Sequence, residues 1–269
     1  MELEHKVDDR DFKLLENDRY TFAVLSRILS GQCSVTLTDH ERFILCHSVS
    51  PYPVWLWTPD DLSETEKQHA WEVANGVCPI ADGFGYNLKY DLANYFITKA
   101  REQGDNLHIT TNMFAYDCPA PITPAHPAEG HLYRCSPKDT EAAAAMIFAF
   151  HKDVGNTWFD LDTCRQIAAN HIAGHFYFWK NTEGEIVACC SFQSNGDLAC
   201  INSVYTIPAH RRRHYAQQMV YEVTCIIANT GLTPMLYTDA DYVASNACYE
   251  KIGYILRGKL CTIKVAPSV

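Results

Sequence analysis

The sequence predicts an α/β class with a mixed sheet, laid out as two domains. Three observations predict it. Segments of helical and of strand-like hydrophobic period alternate along the chain. At 269 residues the chain exceeds one ordinary domain. Pro119, Pro121, Pro124 and Pro127, closed by Gly130, make an extended, semi-rigid stretch that few helices or strands survive. The expected layout is a smaller α/β domain over 1–118, a proline-rich linker over 119–130 and a second domain over 131–269.

The first domain reads as follows. Residues 11–29 place Phe12, Leu15, Phe22, Leu25, Ile28 and Leu29 at helical spacing, closed by Ser30-Gly31. Residues 35–37 and 43–49 read as strands about a turn at Asp39-His40-Glu41, and Val54–Trp57 as another after Pro51-Tyr52-Pro53. Ser63-Glu64-Thr65-Glu66 is a capping-box start for a helix to about Val77. Gly83-Phe84-Gly85-Tyr86 reads as an ordinary turn, since its glycines lack a flanking Lys-Ser/Thr. A helix over 91–102 and a strand over 107–116 complete the set.

In the second domain, residues 131–135 read as a strand. A helix follows from Ser136-Pro137 to about Val154, then another over Leu161–Ala173. Residues 176–179 and 186–192 form a hairpin across Asn181-Thr182-Glu183-Gly184. Leu198–Thr206 is the next strand. It breaks at Pro208 and opens a helix through Arg211, Arg212 and Arg213, ending at Thr230-Gly231. Strand 236–239, a helix around Ser245–Ile252 capped by Gly253, and strands 254–260 and 262–265 close the chain.

Composition excludes several functions. With 47% hydrophobic and 20% charged residues, the chain builds real cores. A net charge of −10 argues against general binding to nucleic acid or to an anionic membrane. The twelve cysteines are scattered, with Cys189-Cys190 adjacent and no Cys-x-x-Cys pair, so they read as free thiols packed like small hydrophobes. Met1-Glu2-Leu3-Glu4-His5-Lys6 has no apolar export core, and no segment is long enough to cross a bilayer. The expected compartment is the cytoplasm.

The most informative stretch runs from Val204 to Ala216. A strand feeding a helix start presents unpaired backbone N–H groups and partial positive charge. Three adjacent arginines there are unfavourable beside the helix dipole unless an anion joins them, which points to a phosphate or pyrophosphate ligand.

This stretch, Val204-Tyr205-Thr206-x-Pro208-x-x-Arg211-x-x-His214-Tyr215-Ala216, resembles the acetyl-CoA signature of the GCN5-related N-acetyltransferases (GNAT), Arg/Gln-x-x-Gly-x-Gly/Ala after a strand and a proline. Leu236-Tyr237-Thr238-Asp239 and Ser245-Asn246-Ala247-Cys248-Tyr249-Glu250-Lys251-Ile252-Gly253-Tyr254 resemble the family's next strand and helix. The resemblance covers residues 131–265, and the amino-terminal half resembles the degenerate half of two-domain members. It implies a GNAT-like acyl-CoA acyltransferase fold and acetyl-CoA as co-substrate. The implied reaction passes an acetyl group to a primary amine, on a small molecule or a peptide, by direct attack in a ternary complex. Val204 and Thr206 then bind the pantetheine arm through their main chain. Arg211, Arg212, Arg213, His214, Tyr215 and Ala216 hold the diphosphate. Asn246 bonds the cofactor, and Tyr249 returns a proton to the CoA thiolate, its phenol near pKa 10 matching that task. No metal is implied.

His214 departs from the pattern, because the family has Gly there. Its imidazole either obstructs the diphosphate or donates to it. No general base stands out: Asp197 and Glu185 are the nearest carboxylates along the sequence. His171 and His175 have the i, i+4 spacing of zinc ligands, but Gly174 interrupts them and no His-Glu-x-x-His motif is present. The tryptophans, Trp55, Trp57, Trp71, Trp158 and Trp179, read as core. A second class of function stays open, a non-catalytic acyl-CoA sensor or interaction module. Nucleic-acid binding through the arginines is the third.

Overall fold

A computed structural model describes residues 3–155 and 159–265. Trp158 and the terminal Met1-Glu2 lie outside them. The chain divides into two compact units. The first comprises Met1–Ala115, Thr238–Tyr242 and Arg257–Val269; the second comprises Tyr116–Tyr237 and Val243–Leu256. Among the described residues, no helix is long and apolar enough to cross a membrane.

In the first unit, helices α1 (Asp9–Leu15), α2 (Ala23–Leu29), α3 (Glu64–Val77) and α4 (Tyr90–Glu102) accompany six strands. These are β1 (Val35–Thr38), β2 (Ile44–His47), β3 (Val54–Trp57), β4 (Tyr86–Leu88), β5 (Leu107–Asp117) and β11 (Ile255–Val265), in the order β1-β2-β3-β4-β11-β5. The β1–β2 and β2–β3 pairs are antiparallel, β3–β4 is parallel, and β4–β11 is antiparallel. Helix α4 buries Leu92, Ala93, Phe96 and Ala100, and Trp71 of α3 meets Phe96 edge-on at 5.1 Å. Buried aromatic pairs in this geometry stabilise beyond their area alone.

Three expectations change here. The single helix over 11–29 is two helices joined by a 3-10 turn at Glu16–Asp18. Within that turn the Asp18 carboxylate takes Trp57 Nε1 at 2.9 Å and Lys89 Nζ at 2.7 Å. Tyr86, read as part of a loop, instead begins β4, where its hydroxyl donates to the Ala74 carbonyl at 2.9 Å. The two closing strands are one strand, β11.

The amino-terminal segment is fastened by a buried polar cluster. The Asp11 carboxylate is fully buried and accepts from Thr38 Oγ1 at 2.5 Å and from His40 Nδ1 at 2.9 Å. Glu4 lies 3.3 Å from the other ring nitrogen. Burial alone pushes the His40 imidazole down, but the Glu4 and Asp11 carboxylates more than offset it and leave it raised.

In the second unit, strands β6 (His131–Arg134), β7 (His175–Lys180), β8 (Ile186–Asn195), β9 (Leu198–Thr206) and β10 (Thr233–Asp239) lie in the order β10-β9-β8-β7-β6. Helices α5 (Thr140–Asp153), α6 (Leu161–Ala173), α7 (Tyr215–Asn229) and α8 (Val243–Ile252) complete it. The strand and helix order is the one expected from residue 131 onward. Its core joins Ala143, Ala144 and Ile147 of α5 and Cys164, Ala168 and Ile172 of α6 to Phe176, Phe178, Cys189 and Tyr205 of the sheet. Trp179, like Trp55, Trp57 and Trp71, is buried.

Residues 119–130 contain no helix or strand and are tied down along their length. Ile122 N–H donates to the Ile252 carbonyl at 2.7 Å, and Trp179 Nε1 to the Glu129 carbonyl at 2.8 Å. Gly130 adopts φ +100°, and a Cβ there would meet the Lys180 carbonyl oxygen at 2.1 Å, so only glycine fits.

Candidate functional site

The site is built where β9 runs beyond its ladder with β10 while still paired with β8. Against β8, Ser191 faces Asn202 and Cys189 faces Tyr205, so Ser203 and Val204 together oppose the single residue Cys190. That is a β-bulge, and Ser203 absorbs it with φ +53°. On the other side, the parallel ladder with β10 runs from Leu198↔Thr233 to Ile201↔Leu236 and ends there. β9 continues five residues further, to Thr206. Main-chain groups of Val204 and Thr206 therefore lie on a stretch of strand beyond the ladder, where an extended ligand can add to the edge.

The chain then turns at Pro208–His210 and enters α7. The arginines precede the helix instead of forming its first turn. Arg211 is extended, Arg212 is left-handed with φ +64°, and α7 begins at Tyr215. His214 is the N-cap, also left-handed with φ +62°, and its side chain makes no capping hydrogen bond. A left-handed backbone is where glycine is favoured, so the geometry accounts for the family's glycine at this position and for the cost of a Cβ. No acidic residue occupies the first turn, and the first intrahelical bond runs from Gln218 N–H to the His214 carbonyl at 3.0 Å. The amides of Tyr215, Ala216 and Gln217 open the helix ahead of it, with partial positive charge.

The three arginines are not equivalent. Arg211 donates through Nε to the Thr206 carbonyl at 3.1 Å and through its terminal nitrogen to Asp153 at 2.8 Å. It clamps the end of β9 to the end of α5, so the anion expected beside it is partly supplied by Asp153. Arg212 and Arg213 are exposed, as is His214. The His214 ring sits 3.3 Å from Gln217 Oε1, and its centroid is 5.9 Å from that of His126. Tyr215 is buried with its hydroxyl donating to Glu129 at 2.8 Å, so only its main chain faces a ligand. Ala216 is half-buried.

Asn246 and Tyr249 share the buried face of α8 with Ile252. They are 8% and 7% exposed, so both side chains point inward. Burial pushes the Tyr249 phenol well above its ordinary value, with the Cys248 and Cys190 thiols adding to the shift. Cys190 is the residue opposite the bulge, which places the phenol within electrostatic reach of that part of β9. The match to a thiolate expected from an ordinary phenol is therefore altered, and Tyr249 holds its proton more tightly.

Other expectations resolve by position. Asp197 precedes β9, whose nine residues separate it from Thr206 by about 30 Å of extended chain. Glu185 is exposed and bonded to Asn181 Nδ2 at 2.9 Å. The His175 ring stacks on Phe192 at 4.0 Å, while His171 lies against Phe176 at 6.3 Å, each imidazole beside a different ring. One nearby residue carried no sequence signal. His151, near the end of α5, stacks on Phe159 at 3.7 Å, and burial lowers its imidazole to about 4.

Residues 143–254 match the model of the acetyltransferase (GNAT) family. Among solved structures, a GCN5-related N-acetyltransferase from Sphaerobacter thermophilus aligns over 99% of this chain and 97% of its own, with a TM-score of 0.69 and 13% identity. One from Kribbella flavida aligns over 94% and 96%, at 0.63 and 14%. A GNAT-family acetyltransferase from Colwellia psychrerythraea aligns over 99% and 100%, at 0.60 and 12%. These likenesses show the fold. No curated protein matches the chain.

Proposed function

We propose that this chain, whose residues 143–254 match the acetyltransferase (GNAT) family model, is an N-acetyltransferase, moving an acetyl group from acetyl-CoA to a primary amine within a ternary complex. The amine belongs to a small molecule or a peptide. One observation carries the reading. Within the second unit, the end of β9 that runs beyond its ladder with β10 leads into a helix start that has no side-chain cap and follows three arginines.

The residues present fit such a co-substrate. Acetyl-CoA supplies an activated thioester and a polyanionic handle. The amides of Tyr215, Ala216 and Gln217, with Arg212 and Arg213, offer donors to a diphosphate. Arg211, held by Asp153 and Thr206, positions the loop that presents them. Main-chain N–H groups around Val204–Thr206 bind an extended arm and polarise a thioester carbonyl. Holding both reactants in one site contributes much of the acceleration. Tyr249, kept neutral by burial, donates a hydrogen bond to the departing sulfur while its proton stays on the phenol oxygen. Asn246 lies one helical turn earlier on the same face. With no carboxylate placed as a base, the amine arrives neutral or loses its proton to water.

A non-catalytic acyl-CoA binder is the second reading, and the burial of Tyr249 together with the left-handed His214 favours it. Calorimetry with acetyl-CoA and desulfo-CoA, followed by thiol release across a panel of amines, polyamines and peptides, separates the two. Turnover on any acceptor supports the enzyme; tight binding without turnover supports the binder. Given turnover, Tyr249→Phe lowers kcat roughly tenfold or more with cofactor affinity nearly intact. An unchanged kcat removes Tyr249 from the mechanism.

A further inference from the structure

The cysteines carry an arrangement that their spacing in the sequence conceals. Cys33 lies in the connection from α2 to β1, and Cys46 lies on β2, thirteen residues later and within the same unit. Their sulfur atoms are 3.1 Å apart, with the Cys46 thiol donating to Cys33. The Cys33 thiol in turn donates to the Ile28 carbonyl at 3.1 Å. All twelve cysteines are free. A disulfide bond measures about 2.04 Å, so these two atoms need to close by roughly 1 Å. Cys33, outside any helix or strand, has the freer backbone to supply it.

We propose that Cys33 and Cys46 form a peroxide-oxidised dithiol that closes reversibly into a disulfide. The two sulfurs have different parts. Cys33 is half-buried and so open to a small oxidant, and its sulfur already accepts the Cys46 thiol. Cys46 is fully buried, and burial, then the Cys33 contact, pushes its own thiol upward. Cys33 is therefore the attacking sulfur and Cys46 the resolving one.

The chemistry balances. The Cys33 thiolate attacks one peroxide oxygen, the O–O bond breaks, and Cys33 becomes a sulfenic acid with hydroxide leaving. Hydroxide takes the proton that Cys33 gave up and becomes water. The Cys46 sulfur then attacks the Cys33 sulfur, the S–O bond breaks, and its hydroxyl leaves with the Cys46 proton as a second water. Two thiols lose two electrons, and one peroxide gains them.

Peroxide treatment of the folded, full-length protein, followed by alkylation and non-reducing tryptic mapping, tests this directly. Trypsin cuts after Arg27, Arg42 and Lys67, so the pair falls on separate peptides, 28–42 and 43–67. The expected product links those peptides and is released by dithiothreitol. In Cys46→Ser the link is lost and Cys33 accumulates as a sulfenic acid that dimedone traps. In Cys33→Ser, where the substituted side chain is only half-buried, Cys46 stays reduced under the same treatment. Two results overturn the proposal: wild-type protein in which Cys33 and Cys46 remain unlinked while other cysteines oxidise, or Cys33 joined to a different partner. Oxidation of Cys46 in Cys33→Ser at the wild-type rate overturns the assignment of the attacking sulfur.

Discussion

The two units contain the same local design and finish it in opposite ways. In the first, β3 is antiparallel to β2 and parallel to β4, with α3 between β3 and β4. In the second, β9 is antiparallel to β8 and parallel to β10, with α7 between them. The start of α3 is satisfied internally. Ser63 accepts from the Glu66 amide at 3.3 Å, its own amide donates to the Glu66 carboxylate at 2.7 Å, and Glu64 and Glu66 load the first turn. Asp60 and Asp61 precede it, paired with Lys89 and Arg42. The start of α7 has no side-chain cap, no first-turn acid and three arginines before it. A helix start already supplied with carboxylates repels an anion; one left bare behind cations recruits it. The contrast teaches that the same β-α-β frame presents either a bare helix start behind cations or a closed structural joint.

The strongest way to break this contrast is to give α7 the charge of α3. Arg212→Glu combined with Arg213→Glu places two carboxylates beside the exposed helix start. Affinity for acetyl-CoA is expected to fall by tenfold to a hundredfold, on the order of 1.4 to 3 kcal/mol. Both side chains are exposed, so far-UV circular dichroism and the thermal midpoint stay near wild type. Affinity within twofold of wild type would locate the diphosphate elsewhere.

The second test uses two histidines, His151 and His40, which titrate in opposite senses. His151 in the second unit is lowered to about 4 by burial, with His171 adding to it. A depressed value means the unfolded chain binds the proton more readily. Its contribution is thus complete above about pH 6.5 and lost as the pH falls toward 4. After discounting for partial solvent access, the loss is about 1–2 kcal/mol. His40 in the first unit is raised by Glu4 and Asp11, net of its burial. Its contribution is complete below about pH 6.5 and fades as the pH climbs through the raised value. Asp8 nearby is held at about 2, chiefly by its hydrogen bond to the Arg10 side chain, so it keeps its charge over the same range. Hydrogen exchange at pH 7.5 and 5 should show protection falling around His151 and α5 and rising or holding around Asp11 and His40. His151→Phe should reduce the acid sensitivity around α5; a parallel response at the two clusters would refute the comparison.

Capping gives a smaller and more local test. Ser63→Ala is expected to cost the first unit about 1 kcal/mol in denaturant unfolding, the usual worth of an N-cap. His214→Ala removes no cap bond, so it should leave stability within about 0.5 kcal/mol. Equal losses at the two positions would mean that α7 is capped after all.

Much of this contrast was legible in the sequence, and its gaps have physical causes. The Ser63–Glu66 capping box and the strand, proline break and helix of the Val204–Ala216 stretch are local and readable, although α7 begins at Tyr215, after the arginines and not through them. The register that makes Ser203 and Val204 share Cys190 is a pairing between strands, which no local pattern encodes. The engagement of Arg211 by Asp153, 58 residues away, is likewise a tertiary contact. It turns one of three similar arginines into a positioning residue. The burial of Tyr249 was half visible, in its spacing from Asn246, but the shift of its phenol depends on surroundings gathered from β8 as well as α8. Strand β4 was missed because three residues give too short a period to register.

The finest test concerns His214 itself, where the contrast rests on a single side chain. In its left-handed backbone, a Cβ costs roughly 1–2 kcal/mol relative to glycine. Glycine returns part of that through its greater freedom in the unfolded chain, roughly 0.5–1 kcal/mol. His214→Gly should therefore stabilise the second unit by less than about 1 kcal/mol. If the imidazole only obstructs the helix start, acetyl-CoA affinity in calorimetry holds or rises by a few-fold in the variant. A drop in affinity would instead make His214 a donor to the anion. The bare helix start would then have acquired a histidine contact in place of the close backbone approach that glycine allows.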